Sequence, residues 1–107
     1  MSEKDRRAAE RFPVSSNTTC SFMSPVVEDF GPVRIKNVST DGIGLIVSRK
    51  VEAGQLVAVS LVNPTQKLAK TVLVRVAHVT PQAGGSFLVG GTFNSPLTYA
   101  ELRALVM

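Results

Sequence analysis

The sequence predicts an all-β fold: a six-stranded antiparallel β-barrel with a flexible N-terminal arm and a short C-terminal helix. Runs of β-branched residues recur at short spacing, and Gly- or Pro-containing turns separate them. Hydrophobic residues make up 44% of the chain and charged residues 19%, which is typical of a globular protein. The 107 residues suit one domain with a modest core.

The first element is an arm over residues 1–12, followed by a single barrel domain over residues 13–107. The arm is charged and Ala-rich, and it has no apolar periodicity long enough to pack. Pro13 disfavours helical geometry at Phe12, so any helical turn in the arm ends there. We therefore expect a flexible arm joined to a folded body.

Six strands follow the arm. They are expected at residues 18–23, 33–38, 42–47, 55–62, 69–80 and 86–93, with a turn-rich connection over residues 24–32. In the second strand, Val33 and Ile35, with Asn37 next in the same phase, alternate with basic residues, as in a strand with one solvated face.

The chain ends with a different pattern, which predicts a short helix. Ser95 can cap it with Pro96 at the first helical position, or Thr98 and Glu101 can form a capping box. Its apolar face would cover one barrel opening or contact a partner. That face is expected to consist mostly of Leu97, Leu102, Leu105 and Val106.

Charge and composition exclude several classes of function. The net charge of +4, from 12 basic and 8 acidic residues, favours a small phosphorylated ligand over a nucleic acid polymer. The chain has one His, one Cys and one Tyr and no carboxylate pair in a discernible motif, so we expect no enzymatic activity. Neither His78 nor Cys20 has the neighbours in sequence that a metal site or a nucleophile needs.

Two further features concern the cellular compartment. Cys20 has no second cysteine to pair with, and no signal segment opens the chain, so a cytoplasmic location is expected. The longest apolar run is far too short to span a bilayer, so no membrane insertion is expected.

An arginine cluster in the arm is the first candidate binding element. Arg6, Arg7 and Arg11 lie within six positions. Each guanidinium group is a planar fork of donors that can contact guanine O6 and N7 together, or two oxygens of one phosphate. The arm could thus reach the purine edges and phosphates of a nucleotide.

The second candidate element is the segment Asn37-Val38-Ser39-Thr40-Asp41-Gly42 between two predicted strands. The Asn37 amide oxygen can accept from guanine N1 or N2, and Ser39 can offer a hydroxyl to a base or phosphate. Gly42 permits close approach of a ligand or a positive φ. Asp41 fits a turn position.

These two elements resemble the signature of the PilZ family of cyclic di-GMP effectors. The family combines an Arg-x-x-x-Arg arm, here Arg7-Ala8-Ala9-Glu10-Arg11, with an Asp or Asn-x-Ser-x-x-Gly motif, here residues 37–42. Gly91-Thr92-Phe93 is similar to the Gly-x-Phe ending of the family. Asn37 replaces the commoner Asp, which should lower affinity. The resemblance implies a PilZ-like barrel of the split-barrel type.

The resemblance also implies roles for the arginines. Arg7 and Arg11 would contact guanine edges and phosphates, and Arg6, just before the motif, would act as an additional clamp. One ligand or a stacked pair would then be held. The expected ligand-binding residues are Arg6, Arg7, Arg11, Asn37, Ser39 and Gly42.

The leading hypothesis is a stand-alone cyclic di-GMP receptor that needs no cofactor. Its arm would fold over the ligand and signal by conformational change to a downstream effector protein, with the protein a monomer or a dimer. The alternative is a ligand-independent adaptor that docks a motility or secretion protein. A third possibility, a small RNA-binding barrel, is weaker because the chain lacks a row of exposed aromatic residues.

Overall fold

The computed structural model describes residues 10–23 and 33–107, which form six strands, one α-helix and two short 3₁₀ helices, Pro64–Gln66 and Ala83–Gly85. The strands are β1 (Thr19–Met23), β2 (Val33–Val38), β3 (Gly42–Val47), β4 (Leu56–Asn63), β5 (Leu68–Pro81) and β6 (Phe87–Phe93), and helix α1 spans Tyr99–Val106. The strand bounds agree with the sequence-based expectation to within one residue. The expected connection over residues 24–32 and most of the expected arm, residues 1–9, lie outside the described residues.

The strands form one antiparallel sheet in the order β1-β4-β5-β6-β3-β2. The sheet curls until its edge strands β1 and β2 come into contact. A weak bond crosses this seam, where the Cys20 thiol donates to the Val33 carbonyl oxygen over 3.7 Å. The result is a six-stranded, nearly closed barrel, which confirms the predicted fold class.

An aliphatic core fills the barrel. In β5 the inward positions Val72, Val74 and Val76 alternate with exposed residues, as expected for a sheet with one solvated face. Burying each such side chain contributes about 1.5–3 kcal/mol. The buried apolar residues are Val38, Ile43, Leu45, Val47, Val51, Val59, Leu61, Val72, Val74, Val76, Val89, Phe93, Leu97, Leu102 and Leu105.

Phe12 ties the end of the arm to the barrel. Its backbone N–H donates to the Val38 carbonyl and its carbonyl accepts from the Val38 N–H, both over 2.8 Å. Its half-buried ring packs against the core. Since Val38 ends β2, Phe12 holds the preceding residue, Arg11, beside the turn that leads into β3.

Helix α1 begins at the second of the two expected caps. The Thr98 hydroxyl accepts from the Glu101 N–H over 3.1 Å, and the Glu101 carboxylate accepts from the Thr98 N–H over 2.9 Å. Lys70 of β5 donates to the same carboxylate over 2.8 Å. This bond and the capping box lower the pKa of Glu101. Their contribution to stability is present at neutral pH and is lost as the pH falls through the lowered pKa.

The C-terminal end of α1 is fixed by a buried polar cluster. Asn63, which is fully buried, donates to the Ala104 carbonyl over 2.9 Å and to the Thr18 hydroxyl over 3.0 Å. The Leu105 carbonyl accepts from the Thr18 hydroxyl over 2.8 Å and from the Ser15 N–H over 3.0 Å. The last carbonyls of the helix are thus satisfied by the barrel. Among the described residues no helix is long and apolar enough to cross a membrane.

The turn between β2 and β3 is organised by one hydroxyl group. Ser39 is 1% exposed, and its Oγ accepts from the N–H groups of Asp41 and Gly42, each over 3.1 Å. The Asp41 carbonyl in turn accepts from the Phe93 N–H over 2.8 Å. Asp41 therefore lies in a turn, as expected, and the turn is joined to the end of β6.

Thr98→Ala should lower the free energy of unfolding by about 1 kcal/mol, because it removes the acceptor for the Glu101 N–H at the start of α1. Chemical denaturation of wild type and variant measures the difference. Ser95→Ala is the matched control and should change stability by less than about 0.5 kcal/mol. Equal losses for the two variants would contradict the observed start of the helix.

Ser39→Ala should destabilise the barrel by about 1–3 kcal/mol, because two backbone N–H groups would lose their acceptor in a buried turn. The exposed Ser16→Ala is the control, with a change of less than about 0.5 kcal/mol. A Ser39→Ala variant as resistant to denaturant as wild type would show that the hydroxyl does not hold this turn.

Candidate ligand-binding site

Four residues line up across four adjacent strands on the outer face of the sheet. Asn37 of β2 pairs with Gly44 of β3, Gly44 pairs with Gly90 of β6, and Gly90 pairs with His78 of β5. We call Asn37, Gly44, Gly90 and His78 the cross-strand row. Its two inner members have no side chain, so two polar side chains face each other across three strand spacings, about 14 Å.

Two β-bulges place the outer members of this row on the outer face. The β2–β3 register shifts between Ile35 and Asn37, and the β5–β6 register shifts between Val76 and His78. Without the shifts, strict alternation would turn Asn37 and His78 inward, in phase with the core-facing Ile35 and Val76. The expectation that Asn37 continues the phase of Val33 and Ile35 was therefore wrong: the bulge at Lys36 reverses it.

The two central glycines leave room for the side chains at either end. A Cβ atom at Gly44 would lie 2.7 Å from Oδ1 of Asn37, and one at Gly90 would overlap the His78 ring at Cε1 and Nε2. Neither glycine has a positive φ. Space, not backbone conformation, therefore requires glycine at both positions, and the Asn37 and His78 side chains lie over them.

Arg11 completes one side of the site. Its Nη1 donates to Oδ1 of Asn37 over 3.0 Å. Its Nη2 lies 3.3 Å from the point that a Cβ atom of Gly42 would occupy. The guanidinium group is thus held over the start of β3 while Arg11 remains exposed. Because the group carries five donors, several stay available to a ligand, and the Asn37 oxygen has a second lone pair for a ligand donor.

These groups line an open cleft of about 280 Å³, close to the lower end of small-molecule sites, roughly 300 Å³. Arg11 and Lys36 supply positive charge, the imidazole supplies a flat face, and the glycine backbones supply a floor. This combination suits a planar base joined to a phosphate. The lining residues are Arg11, Lys36, Asn37, Gly44, His78, Leu88, Val89 and Gly90.

The expected site residues fall into three groups. Arg11 and Asn37 are in contact. Ser39 and Gly42 are buried in the adjoining turn, where the Ser39 hydroxyl is used by the backbone; a direct ligand contact from Ser39 stays a prediction. Gly42 has no positive φ, and a Cβ atom there would collide with the Gly91 carbonyl oxygen, so close strand packing requires glycine here; a ligand contact from Gly42 stays a prediction. Arg6 and Arg7 lie outside the described residues.

Sequence reasoning missed five residues of the cleft, namely Gly44, His78, Leu88, Val89 and Gly90. His78 was considered only as a metal ligand, and neither Gly44 nor Gly90 was expected at the site. Glycines inside strands often mark a close approach, and Gly42-Ile43-Gly44 and Gly90-Gly91 carry that signal. Lys36, expected as one of the basic residues on the solvated face of β2, also lines the cleft.

The remaining reactive groups do not form a catalytic constellation in the described part of the chain. Burial raises the pKa of the Cys20 thiol to about 11, so the thiol stays protonated near neutral pH and is a poor nucleophile. Within residues 10–23 and 33–107, no group of three or more His, Cys, Asp or Glu side chains could hold a metal ion.

Comparison with known proteins identifies the family. The PilZ domain model matches residues 5–107, nearly the whole chain. A search of curated proteins found no match. The match covers the arginine arm, the turn motif and the Gly-x-Phe ending, so the predicted resemblance is confirmed. The chain therefore belongs to the PilZ domain family, a family of receptors and adaptors for cyclic di-GMP.

Proposed function

We propose that this protein is a cyclic di-GMP receptor that holds the dinucleotide between its arginine arm and the cleft on the outer face of β2, β3, β6 and β5. The observation that carries the proposal is the contact between Arg11 and Asn37. These residues belong to the two separate halves of the family signature, and the fold brings them together beside an open, positively charged cleft.

The ligand's chemistry matches the groups at this site. A guanine presents two acceptors, O6 and N7, to an arginine fork, while its N1 and N2 donors need an acceptor such as Oδ1 of Asn37. The phosphates need cations, which Arg11 and Lys36 provide and to which Arg6 and Arg7 of the arm would add. The cleft is small for a dinucleotide, so in this proposal the arm covers the part of the ligand that the sheet leaves open.

Phe12 offers a route by which binding would become a signal. It is covalently next to Arg11, its backbone is paired with Val38, and its ring lines an apolar groove with α1 residues that include Tyr99 and Leu102. A ligand that pulls on Arg11 would therefore shift a side chain at the surface of α1. In this proposal the altered groove and the ordered arm are what a downstream effector recognises.

Changing Arg11 to Ala should weaken cyclic di-GMP binding at least about tenfold, because a charge-assisted bond contributes roughly 1.5–3 kcal/mol. Arg7→Ala should have a similar effect. Arg11→Lys should retain part of the affinity, since lysine keeps the charge but loses the fork. Isothermal titration calorimetry of wild type and each variant measures these changes.

The matched control is Arg103→Ala, which removes an exposed arginine from α1 and should leave affinity unchanged. Thermal unfolding of each variant checks that the barrel stays folded. Wild-type protein that releases no heat at high ligand concentration would contradict the receptor function and favour the ligand-independent adaptor.

Affinity should also fall as ionic strength rises, because screening weakens the attraction between the arginines and the two phosphates. The Arg11→Ala variant should show a shallower dependence on salt than wild type, since it has one cation fewer. Titrations over a series of sodium chloride concentrations test this. Salt-independent binding by wild type would show that charge pairing does not hold the ligand.

A further inference from the structure

We infer that His78 is a ligand-binding residue of this site, and that its imidazole ring stacks on a purine of the bound dinucleotide. The inference rests on the proposed function, and it adds a residue outside both halves of the Arg-x-x-x-Arg and Asn-x-Ser-x-x-Gly signature. In this inference His78 forms the wall of the cleft opposite Arg11 and Asn37.

The position of His78 in the cleft supports stacking on the ligand. It stands at the β5 end of the cross-strand row, and its ring atoms lie directly over Gly90. Asn37, with Arg11 bound to it, stands at the β2 end of the same row. A flat ligand lying along the row would therefore meet hydrogen-bonding groups at one end and an aromatic face at the other.

His78 contributes no hydrogen bond, ion pair or core contact to the described part of the fold. The residue is exposed, and it makes no side-chain hydrogen bond or ion pair with any described residue. It is also absent from the hydrophobic core. Its ring is nevertheless seated on a glycine that leaves space for it. Histidine is one of the side chains on which proteins stack unpaired bases.

A β-bulge in β5 turns His78 toward the cleft. Val72, Val74 and Val76 point inward, and a strand that kept this phase would bury His78. The shift between Val76 and His78 turns the imidazole outward and returns Val79 to the core side. Bulges that re-aim one side chain are common beside binding sites. The matching bulge in β2 re-aims Asn37 onto the same face.

Proton NMR tests the stacking directly, because His78 is the single histidine of the chain. Protein free of any histidine tag gives one set of imidazole resonances. Addition of cyclic di-GMP should shift them upfield through the ring current of the stacked purine, with saturation at the stoichiometry found by calorimetry. The Arg11→Ala variant at the same ligand concentration should show no comparable shift.

Affinity measurements on variants give a second, independent readout. His78→Ala and His78→Gln should weaken binding roughly 5- to 20-fold, the lower part of the range for loss of one base–aromatic stack. His78→Phe keeps a flat ring and should bind within about threefold of wild type. All three should keep the wild-type melting temperature, since the side chain is exposed and outside the core.

Gly90→Ala supplies a matched test that leaves His78 in the chain. The added methyl group would occupy the place of the imidazole and push the ring off the row. Affinity should fall in the wild-type background, and the fall should be smaller when His78 is already Ala, because the methyl group then displaces no imidazole ring.

The outcomes separate this inference from the proposed function. Wild-type protein that binds no cyclic di-GMP overturns both. Wild-type binding that depends on Arg11, with unchanged affinity in His78→Ala and His78→Gln and no upfield shift of the imidazole, overturns the inference alone. Equal losses in His78→Phe and His78→Ala would also overturn it, because stacking would then not be the interaction lost.

Discussion

Two β-bulges set the phase of the sheet, and the candidate site depends on them. Each bulge inserts one residue, Lys36 in β2 and Ala77 in β5, and the two insertions lie on opposite sides of the cross-strand row. The core continues on both sides of each insertion, with Ile35 followed by Val38 and Val76 followed by Val79. The extra residue in each strand therefore keeps the apolar core continuous while Asn37 and His78 point outward.

Glycines in β3 and β6 leave room on the outer face for the Asn37 and His78 side chains. Strands pack about 4.8 Å apart, so any side chain at Gly44 or Gly90 would fill the space that the Asn37 and His78 side chains occupy. Two further glycines serve the fold more than the site: Gly42 lies against the Gly91 carbonyl, and Gly91 against Val74. The same stretches of β3 and β6 thus combine close strand packing with an open outer surface, which explains why glycine recurs there.

Much of this structure could be predicted from the sequence, for identifiable reasons. Strand bounds followed from local runs of β-branched residues, and the Arg11 and Asn37 pair followed from a family signature. The bulges and the position of His78 at one wall of the cleft depend on which residues pair between strands. Such pairs are distant in sequence, so local patterns do not predict them. One signal was available: apolar residues three apart at 35 and 38 and at 76 and 79 break the period of two. Ser95 and Thr98 both fit the local pattern of a helix cap, and the ion pair with Glu101 of the Thr98 box comes from Lys70, which is distant in sequence.

A crystal structure of the protein with cyclic di-GMP would show which surface of the barrel the dinucleotide covers. A guanine is expected over Gly44 and Gly90, with Arg11 and Asn37 at one edge and the His78 ring against its face. A dinucleotide seated away from the cross-strand row, for example in the groove beside α1, would contradict this expectation.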